Sequence, residues 1–361
     1  MTSDEMRGLH VSAPGKLILM GEYCVLEGAP ALVSAVDRRL RVSSLPGKGF
    51  GTLHYHLDLP SRCELDLDLS DPQELERQSP FLHAVLATAA GGAWGRLEQL
   101  GGETIVCESA DFYDHSSQGL AVGTKLGLGS SAASCVALMA IIRHRLGEVD
   151  DSRSLFELSL KAHRDFQLGR GSGADVAAAT YGGLLAYRLD GWEKPAVEPL
   201  HWPSELHWAA YWLGEPANTR SFLKSYEALR SKDQARGEAL MGALTAASVQ
   251  AYDSIRDGDA GRFLEAVRHA EAGLEALGQA IAAPIVTPAH RELSQVAARA
   301  GAAAKPSGAG GGDFSLVFAH SADTLRNVAQ SLPRSVRAFE FRAESSGMQF
   351  FSSPSDIPVG R

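Results

Sequence analysis

The chain has 361 residues, of which 45% are hydrophobic and 21% charged, and its formal net charge at pH 7 is -9. This length suffices for two domains, and the negative charge argues against nucleic acid or an anionic membrane as the main partner. The four cysteines are widely spaced without a C-x-x-C pair, so neither a metal knuckle nor a disulfide framework is expected. The N-terminus lacks an apolar signal core and no apolar run is long enough to span a bilayer, which predicts a cytoplasmic protein.

The apolar pattern and the turn signals predict a mixed α+β fold. In the first half, strands are expected at 11–13, 16–20, 23–26, 31–36, 52–57, 103–108 and 184–189. Helices are expected there at 80–90, 130–146, 152–167 and 174–180.

The segment 191–203 is rich in proline and tryptophan, and it is interpreted as a crossover between two domains, 1–195 and 196–361. Beyond it, strands are expected at 206–213, 314–319 and 336–343. Helices are expected at 218–230, 234–257, 260–280, 288–300 and 321–331. The tail after Ser345 is predicted to be irregular.

A glycine-rich turn with paired hydroxyls, Lys-Leu-Gly-Leu-Gly-Ser-Ser-Ala, occupies residues 125–132 and continues into a helix-forming apolar run. The first amides of such a helix have no intrahelical partners, and the helix dipole adds partial positive charge there. Glycines let the backbone close around an anion, and a serine hydroxyl can reach a phosphate or its magnesium ion. The segment therefore predicts a nucleotide polyphosphate site.

Two other phosphate-binding patterns fit less well. A Walker loop needs a glycine five residues before Gly-Lys, but His10 and Val42 occupy that position ahead of the two Gly-Lys pairs. The run from Gly127 to Ala132 fits the dinucleotide pattern G-x-G-x-x-A, but that pattern follows a strand, whereas residues 116–125 are loop-like. A dinucleotide site and a glycine-rich helix start without a ligand stay open as alternatives.

Two more segments complete an ordered set of three motifs. Residues 12–26 contain Ser-Ala-Pro-Gly-Lys followed by Gly-Glu-Tyr, and residues 305–313 read Lys-Pro-Ser-Gly-Ala-Gly-Gly-Gly-Asp. Together with the glycine turn, these motifs resemble the GHMP kinase superfamily, which includes galactokinase, homoserine kinase, mevalonate kinase and phosphomevalonate kinase. The resemblance covers nearly the whole chain.

The resemblance implies a GHMP kinase fold, with an N-terminal domain like the second domain of ribosomal protein S5 and a ferredoxin-like C-terminal domain. It also implies ATP with its phosphates on the glycine turn, and an acceptor between the domains. Lys16 and Asp175 match the catalytic lysine and aspartate of the family, and Ser131 matches the serine that binds Mg²⁺. The expected ATP-binding residues are Lys125, Gly127, Leu128, Gly129, Ser130, Ser131 and Ala132.

Details of the motifs resemble phosphomevalonate kinases more than mevalonate kinases. Asp175 is followed by valine and an alanine run, where mevalonate kinases usually carry Asp-Asn, and Tyr23 stands where they usually carry histidine. Residues 211–219 are similar to a Trp-Thr-Gly-x-Pro-Ala-Ser-Thr segment, with Asn218 in place of the serine. Arg164 occupies the position of a magnesium-binding glutamate of mevalonate kinases, so Mg²⁺ is expected on Ser131, ATP and water.

The implied acceptor is mevalonate 5-phosphate, which is mostly dianionic at pH 7 and needs cations more than a general base. An alcohol acceptor would instead need Asp175 to take its proton. The candidate cations are His163, Arg170, Arg220 and Lys224, and Gln167 is a neutral donor on the same helix face as His163. The expected substrate-binding residues are Tyr23, His163, Gln167, Ser172, Gly173, Ser307, Gly308, Ala309 and Gly310.

The sequence thus predicts an ATP- and Mg²⁺-dependent kinase for a small anionic substrate, active as a monomer or homodimer. Mevalonate kinase stays open as the nearest alternative. A catalytically silent metabolite sensor is a second alternative, although it would be expected to lose Lys16, Ser131 or Asp175, which are all present.

Overall fold

The computed structural model describes residues 8–46, 52–58, 63–114, 123–169, 171–190, 194–214, 219–312, 314–333 and 336–357. The chain forms two compact units: unit 1 comprises 1–16, 35–182 and 344–361, and unit 2 comprises 17–34 and 183–343. The units alternate along the chain because the first two strands, β1 (Leu9–Met20) and β2 (Ala31–Pro46), each contribute residues to both. The division after residue 195 stays a prediction.

The remaining strands are β3 (Thr52–Asp58), β4 (Cys63–Asp68), β5 (Glu103–Glu108), β6 (Tyr113–Asp114), β7 (Thr124–Lys125), β8 (Leu184–Asp190), β9 (Lys194–Leu200), β10 (His207–Trp212), β11 (Ala303–Pro306), β12 (Phe314–Ala319), β13 (Arg337–Phe339) and β14 (Gln349–Phe351). The α-helices are α1 (Pro72–Gln78), α2 (Pro80–Ala89), α3 (Ser130–Arg145), α4 (Ser152–Phe166), α5 (Ala174–Tyr181), α6 (Thr219–Lys232), α7 (Gln234–Asp257), α8 (Ala260–Ala280), α9 (Pro288–Arg299) and α10 (Ala322–Ser331). Within these ranges, every helix is too short or too polar to cross a membrane.

Unit 1 is built around helix α3. Its strands follow the order β14, β1, β2, β5, β3 and β4, and the β3–β5 pair is parallel. Twelve of the sixteen residues of α3 are buried, because this helix carries apolar or small side chains around most of its circumference. Helices α2, α4 and α5 pack against it. A buried helix of this kind fixes the position of the glycine turn that leads into it.

Unit 2 contains an antiparallel sheet with the strand order β11, β12, β10 and β13. Helices α8 and α9 pack against β11 and β12, and α10 packs against β10 and β12. In the same unit, residues 31–34 of β2 pair with β8, which pairs with β9. A separate apolar cluster joins Tyr23, Tyr226, Leu244 and Ile285, and it connects the chain near Tyr23 to α6, α7 and the segment after α8.

The mixed α+β prediction is confirmed, and three local predictions are wrong. The expected strand at 23–26 is a 3-10 turn at Cys24–Glu27, and the two strands expected at 11–13 and 16–20 form one strand, β1. The tail after Ser345, predicted to be irregular, contains β14, which pairs with β1. The segment 191–203 contains β9, and its interpretation as a crossover between domains stays a prediction. Strand β14 forms by pairing with β1, which lies far away in the sequence, and local sequence patterns do not report such a partner. Strand β9 instead pairs with the preceding strand β8.

Candidate active site

The glycine turn forms the N-terminal end of helix α3. Gly127 and Gly129 adopt left-handed backbone conformations, with φ values of 64° and 79°, which glycine enters without the steric cost that other residues have. The amides of Ala132 and Ala133 donate to the Gly129 carbonyl, so the helix begins there. Leu128, Ser130 and Ala132 are buried, Ser131 is half-buried and Lys125 is exposed at the start of the turn. The backbone is therefore arranged to present helix amides to an anion.

Strand β1 brings Lys16 to this turn. The Lys16 amide donates to the Leu128 carbonyl at 2.9 Å, and the Lys16 ammonium donates to the Gly127 carbonyl at 3.2 Å. A Cβ atom added at Gly15 would lie 3.1 Å from the Leu128 carbonyl oxygen, so the glycine before Lys16 allows this close approach. The backbone amide and the side-chain ammonium of Lys16 are thus both hydrogen-bonded to the turn.

Asp175 lies in the first turn of α5, two residues after Gly173, which caps this helix with φ 88°. Its Oδ1 accepts a hydrogen bond from the Val176 amide at 3.0 Å. A Cβ atom added at Gly129 would lie 3.2 Å from Lys16 Cγ and 3.5 Å from Asp175 Cβ. The side chains predicted to be catalytic therefore flank the same glycine, although they are 159 residues apart in the sequence (175 − 16).

His163 is linked to the glycine turn by Ser131. Its Nε2 lies 3.2 Å from the Ser131 hydroxyl and 3.2 Å from the Gln167 amide nitrogen, and the imidazole is buried. This environment places His163 and Gln167 next to the serine expected to bind Mg²⁺. Their expected contacts with the acceptor stay a prediction.

Arg164 holds the loop before Asp175. Its guanidinium donates to the Ser172 carbonyl at 3.3 Å, and the Ser172 hydroxyl accepts from the Ala174 amide at 3.3 Å. The sequence singled out Arg164 as a departure from mevalonate kinases, but it did not predict this contact. The structure thus places a cation beside the loop that carries Asp175.

The third motif forms a loop in unit 2. The Ser307 hydroxyl donates to the Ile18 carbonyl at 2.8 Å, and the Tyr23 hydroxyl donates to the Ala309 carbonyl at 2.6 Å. Gly308 has φ 78° and open space around its Cα. At Gly310, in contrast, an added Cβ atom would overlap the Ile285 carbonyl oxygen. The expected substrate-binding residues of this loop therefore lie together, in a conformation that requires glycine at Gly310.

Tyr23 remains a hydrogen-bond donor. Burial and, secondarily, the neighbouring Glu22 carboxylate raise the pKa of the Tyr23 phenol well above its usual range. The same effect applies to Cys135, which lies one turn into α3 from Ser131: burial, together with the Asp175 carboxylate, raises the pKa of its thiol. Both groups are therefore protonated near neutral pH.

Lys224 is the one further predicted cation whose side chain lies among the described residues. Lys224 is exposed on α6. Arg170 lies outside the described residues, as do Asn218, Asp313 and the side chain of Arg220.

The residues at the glycine turn fit a nucleotide-bound magnesium ion. Within the described ranges, His, Cys, Asp and Glu side chains form no cluster of three or more that could hold a metal ion by themselves. Magnesium usually keeps several waters and binds through one or two protein groups together with substrate phosphates. Two oxygen donors are available here: the Ser131 hydroxyl on α3 and the Asp175 carboxylate on α5. This number agrees with the one or two protein groups that usually bind a nucleotide-bound magnesium ion.

A lysine and an aspartate beside a glycine turn, at the start of a buried helix, form the arrangement that is expected of a phosphate-binding site in a kinase. The chain matches two parts of one family: residues 119–183 match the GHMP kinases N terminal domain, and residues 251–338 match the GHMP kinases C terminal domain. Both matches are to GHMP kinases, so the chain carries the N- and C-terminal domains of the superfamily that its motifs resemble. Its fold is the GHMP kinase fold predicted from the sequence, and ATP is the phosphoryl donor of this family.

The relatives of the chain include two kinases with different acceptors. The chain is 29% identical to a phosphomevalonate kinase of Streptomyces sp. (strain CL190), over 88% of this chain and 92% of the relative. It is also 29% identical to a mevalonate kinase of Aeropyrum pernix, over 92% of this chain and 95% of the relative. The structure of Streptococcus pneumoniae phosphomevalonate kinase in complex with phosphomevalonate and AMPPNP has the same fold, with a TM-score of 0.72 at 19% identity over 92% of this chain and 99% of that chain.

Proposed function

We propose that this protein is a phosphomevalonate kinase, which transfers the γ-phosphoryl group of Mg·ATP to mevalonate 5-phosphate and releases mevalonate 5-diphosphate and ADP. The relatives favour a kinase of mevalonate or of its phosphate, but the phosphomevalonate kinase and the mevalonate kinase have the same sequence identity to this chain. The choice between the two acceptors therefore depends on the charges around the site.

Arg164 is the observation that carries the choice of acceptor. Mevalonate kinases place a magnesium-binding glutamate at this position, whereas here a guanidinium donates to the Ser172 carbonyl in the loop before Asp175. The exchange replaces a negative charge by a positive one at the edge of the loop. A phosphate acceptor group is mostly dianionic at pH 7 and gains from that cation, while the neutral hydroxyl group that would accept in mevalonate gains little.

The proposed reaction forms a bond from an acceptor phosphate oxygen to the γ-phosphorus of ATP and breaks the bond from that phosphorus to the oxygen that bridges the β- and γ-phosphates. Such transfers depend on positioning and charge stabilisation more than on covalent help from the protein. The amides at the start of α3 and the Lys16 ammonium would stabilise the charge on the transferring group. Magnesium would neutralise phosphate charge, with Ser131 as the protein ligand favoured by the family resemblance.

Asp175 has a different role for each acceptor. A phosphate dianion carries no proton that has to be removed, so Asp175 would orient Lys16 or the magnesium ion. An alcohol acceptor would make the same carboxylate a general base. Mevalonate kinase therefore remains the second candidate, favoured by the position of Asp175 beside the glycine turn.

The experiment that tests the proposal is an ADP-release assay with Mg·ATP, in which mevalonate and mevalonate 5-phosphate are offered separately. We expect turnover with mevalonate 5-phosphate and none with mevalonate; the opposite result would contradict the proposal. The variant Arg164→Met should raise KM for mevalonate 5-phosphate about tenfold, as expected for the loss of one charge-assisted contact. Arg153→Met is the matched control, because Arg153 is an exposed arginine on the same helix and pairs with Glu157.

A further inference from the structure

A buried ion pair lies under the loop of residues 307–310. The Lys305 ammonium donates to Glu22 Oε1 at 2.5 Å, and the side chains of Lys305 and Glu22 are only 0% and 3% exposed. Lys305 also donates to the Pro306 carbonyl at 2.6 Å. Because burial leaves the ammonium without access to solvent, Lys305 has no route to a substrate phosphate, although it belongs to the most glycine-rich motif of the chain.

The same carboxylate also holds the loop itself. The Gly308 amide donates to Glu22 Oε1 at 3.3 Å, so one oxygen receives both the lysine and the loop backbone. The neighbouring Tyr23 hydroxyl donates to the Ala309 carbonyl. Glu22 thus holds the loop through the Gly308 amide, and Tyr23 holds it through the Ala309 carbonyl.

The backbone at Tyr23 is held in a conformation that a bulky residue rarely adopts, with φ 63° and ψ -55°. Such conformations cost free energy and persist where the surrounding structure enforces them, often at functional sites. Here the enforcing contacts are the burial of the ring among Tyr226, Leu244 and Ile285 and the hydrogen bond to Ala309.

A buried ion pair is weak support for stability, because the desolvation of both charges offsets their attraction. Its arrangement is better explained by specificity for one loop conformation. We infer that Glu22, Tyr23 and Lys305, here called the brace, are positioning residues that hold the loop 307–310 in the shape that receives the acceptor. The part of this inference that concerns the acceptor rests on the proposed function.

The hydroxyl of Tyr23 gives the sharpest test, because Tyr226 provides a matched control. Both tyrosines are 7% exposed in the same apolar cluster, and each donates one hydrogen bond, Tyr23 to Ala309 and Tyr226 to Glu27 at 2.8 Å. Tyr23→Phe should raise KM for mevalonate 5-phosphate about fivefold, as expected for the loss of one hydrogen bond, and leave KM for ATP and kcat nearly unchanged. Tyr226→Phe should change none of the three.

Amide hydrogen exchange, measured without any ligand, tests the brace independently of the acceptor. Tyr23→Phe should accelerate exchange in peptides that cover 305–312 and leave those that cover 223–231 as in the unsubstituted protein, whereas Tyr226→Phe should not accelerate exchange in 305–312. Unchanged exchange in 305–312 in Tyr23→Phe, or an equal rise in KM for both substrates, would overturn the inference. If mevalonate 5-phosphate is not turned over at all, the proposed function fails, and the exchange result still decides whether the brace holds the loop.

The charged half of the brace is tested by Glu22→Gln, Lys305→Met and the double variant. Each single variant leaves the other charged group without its partner, so it should unfold at lower urea concentration than the double variant. The double variant should nevertheless show accelerated exchange in 305–312. A double variant that folds and exchanges like the unsubstituted protein would contradict a positioning role for the ion pair.

Discussion

A methyl group added at Gly129 should separate the cost of backbone strain from the displacement of Lys16. Gly129 has φ 79° at the start of α3, and Gly147 has φ 77° just beyond its end. A Cβ atom at Gly129 would lie 3.2 Å from Lys16 Cγ and 3.3 Å from Lys16 Cε, whereas at Gly147 it would meet nothing within 4 Å. The two Gly→Ala variants therefore share the strain, and only one of them displaces the lysine.

The strain should cost a similar amount of stability at both positions. A non-glycine residue in the left-handed region costs about 1–2 kcal/mol, so both variants should lose about that much free energy of unfolding. At Gly129 the Lys16 side chain must also move by a few tenths of an ångström, although its ammonium is bonded to the Gly127 carbonyl. Because misplacement by about 1 Å can cost about a hundredfold in rate, we expect a roughly tenfold lower kcat in Gly129→Ala.

The assay compares kcat at saturating Mg·ATP and acceptor with the free energy of unfolding in urea for both variants. We expect equal losses of stability and a loss of kcat that is confined to Gly129→Ala. Equal kcat values in the two variants would show that Lys16 tolerates the displacement, and would refute the argument that the turn positions this lysine for catalysis.

Two further predictions concern single titratable residues. Asp175→Asn should lower kcat with mevalonate 5-phosphate by less than the roughly 100-fold effect typical of a lost general base; a complete loss would instead support proton removal by Asp175. Burial, with smaller contributions from Lys305 and Arg291, lowers the pKa of His290 to about 4 from 6.5, so the folded state keeps this residue neutral while the unfolded state protonates first as the pH falls. Stability should therefore drop by about 2 kcal/mol between pH 7 and pH 5. This drop should be absent from His290→Gln, in which the glutamine side chain can still accept a hydrogen bond from the Thr287 amide. Equal pH dependence of urea unfolding in the two proteins would contradict the assignment of the drop to His290.

The sequence predicts the helices better than the short strands. Helix α3 is recognisable from its apolar run and its glycine start, and α4 and α8 from their periodic apolar faces. Strand β14 contains only three residues, and the segment before it is held from far away in the sequence: the buried Arg39 guanidinium donates to the Gly347 carbonyl at 2.6 Å. Because the partners are 308 residues apart, no local pattern contains this information.

The candidate site was predictable where glycines and charges recur in a motif, and less so where contacts are made by backbone carbonyls. Lys16, Asp175 and the turn of residues 127–132 were expected to form one site, and the structure places both side chains beside Gly129. The contact from Arg164 to the Ser172 carbonyl was not expected. Because every residue has a backbone carbonyl, residue type does not indicate which carbonyl accepts a hydrogen bond, so the partner of Arg164 could not be recognised in the sequence.

Two lysines of the family motifs differ in burial, and this difference indicates different roles. Lys16 is half-buried and donates to the Gly127 carbonyl, a neutral acceptor, so its charge remains available to an incoming phosphate. Lys305 is fully buried and its charge is compensated by Glu22, so an approaching anion would have to displace a carboxylate from a site that water does not reach. Separating this pair would leave a buried charge uncompensated, which typically costs about 3–5 kcal/mol. This difference supports the proposed roles, namely charge stabilisation for Lys16 and loop positioning for Lys305.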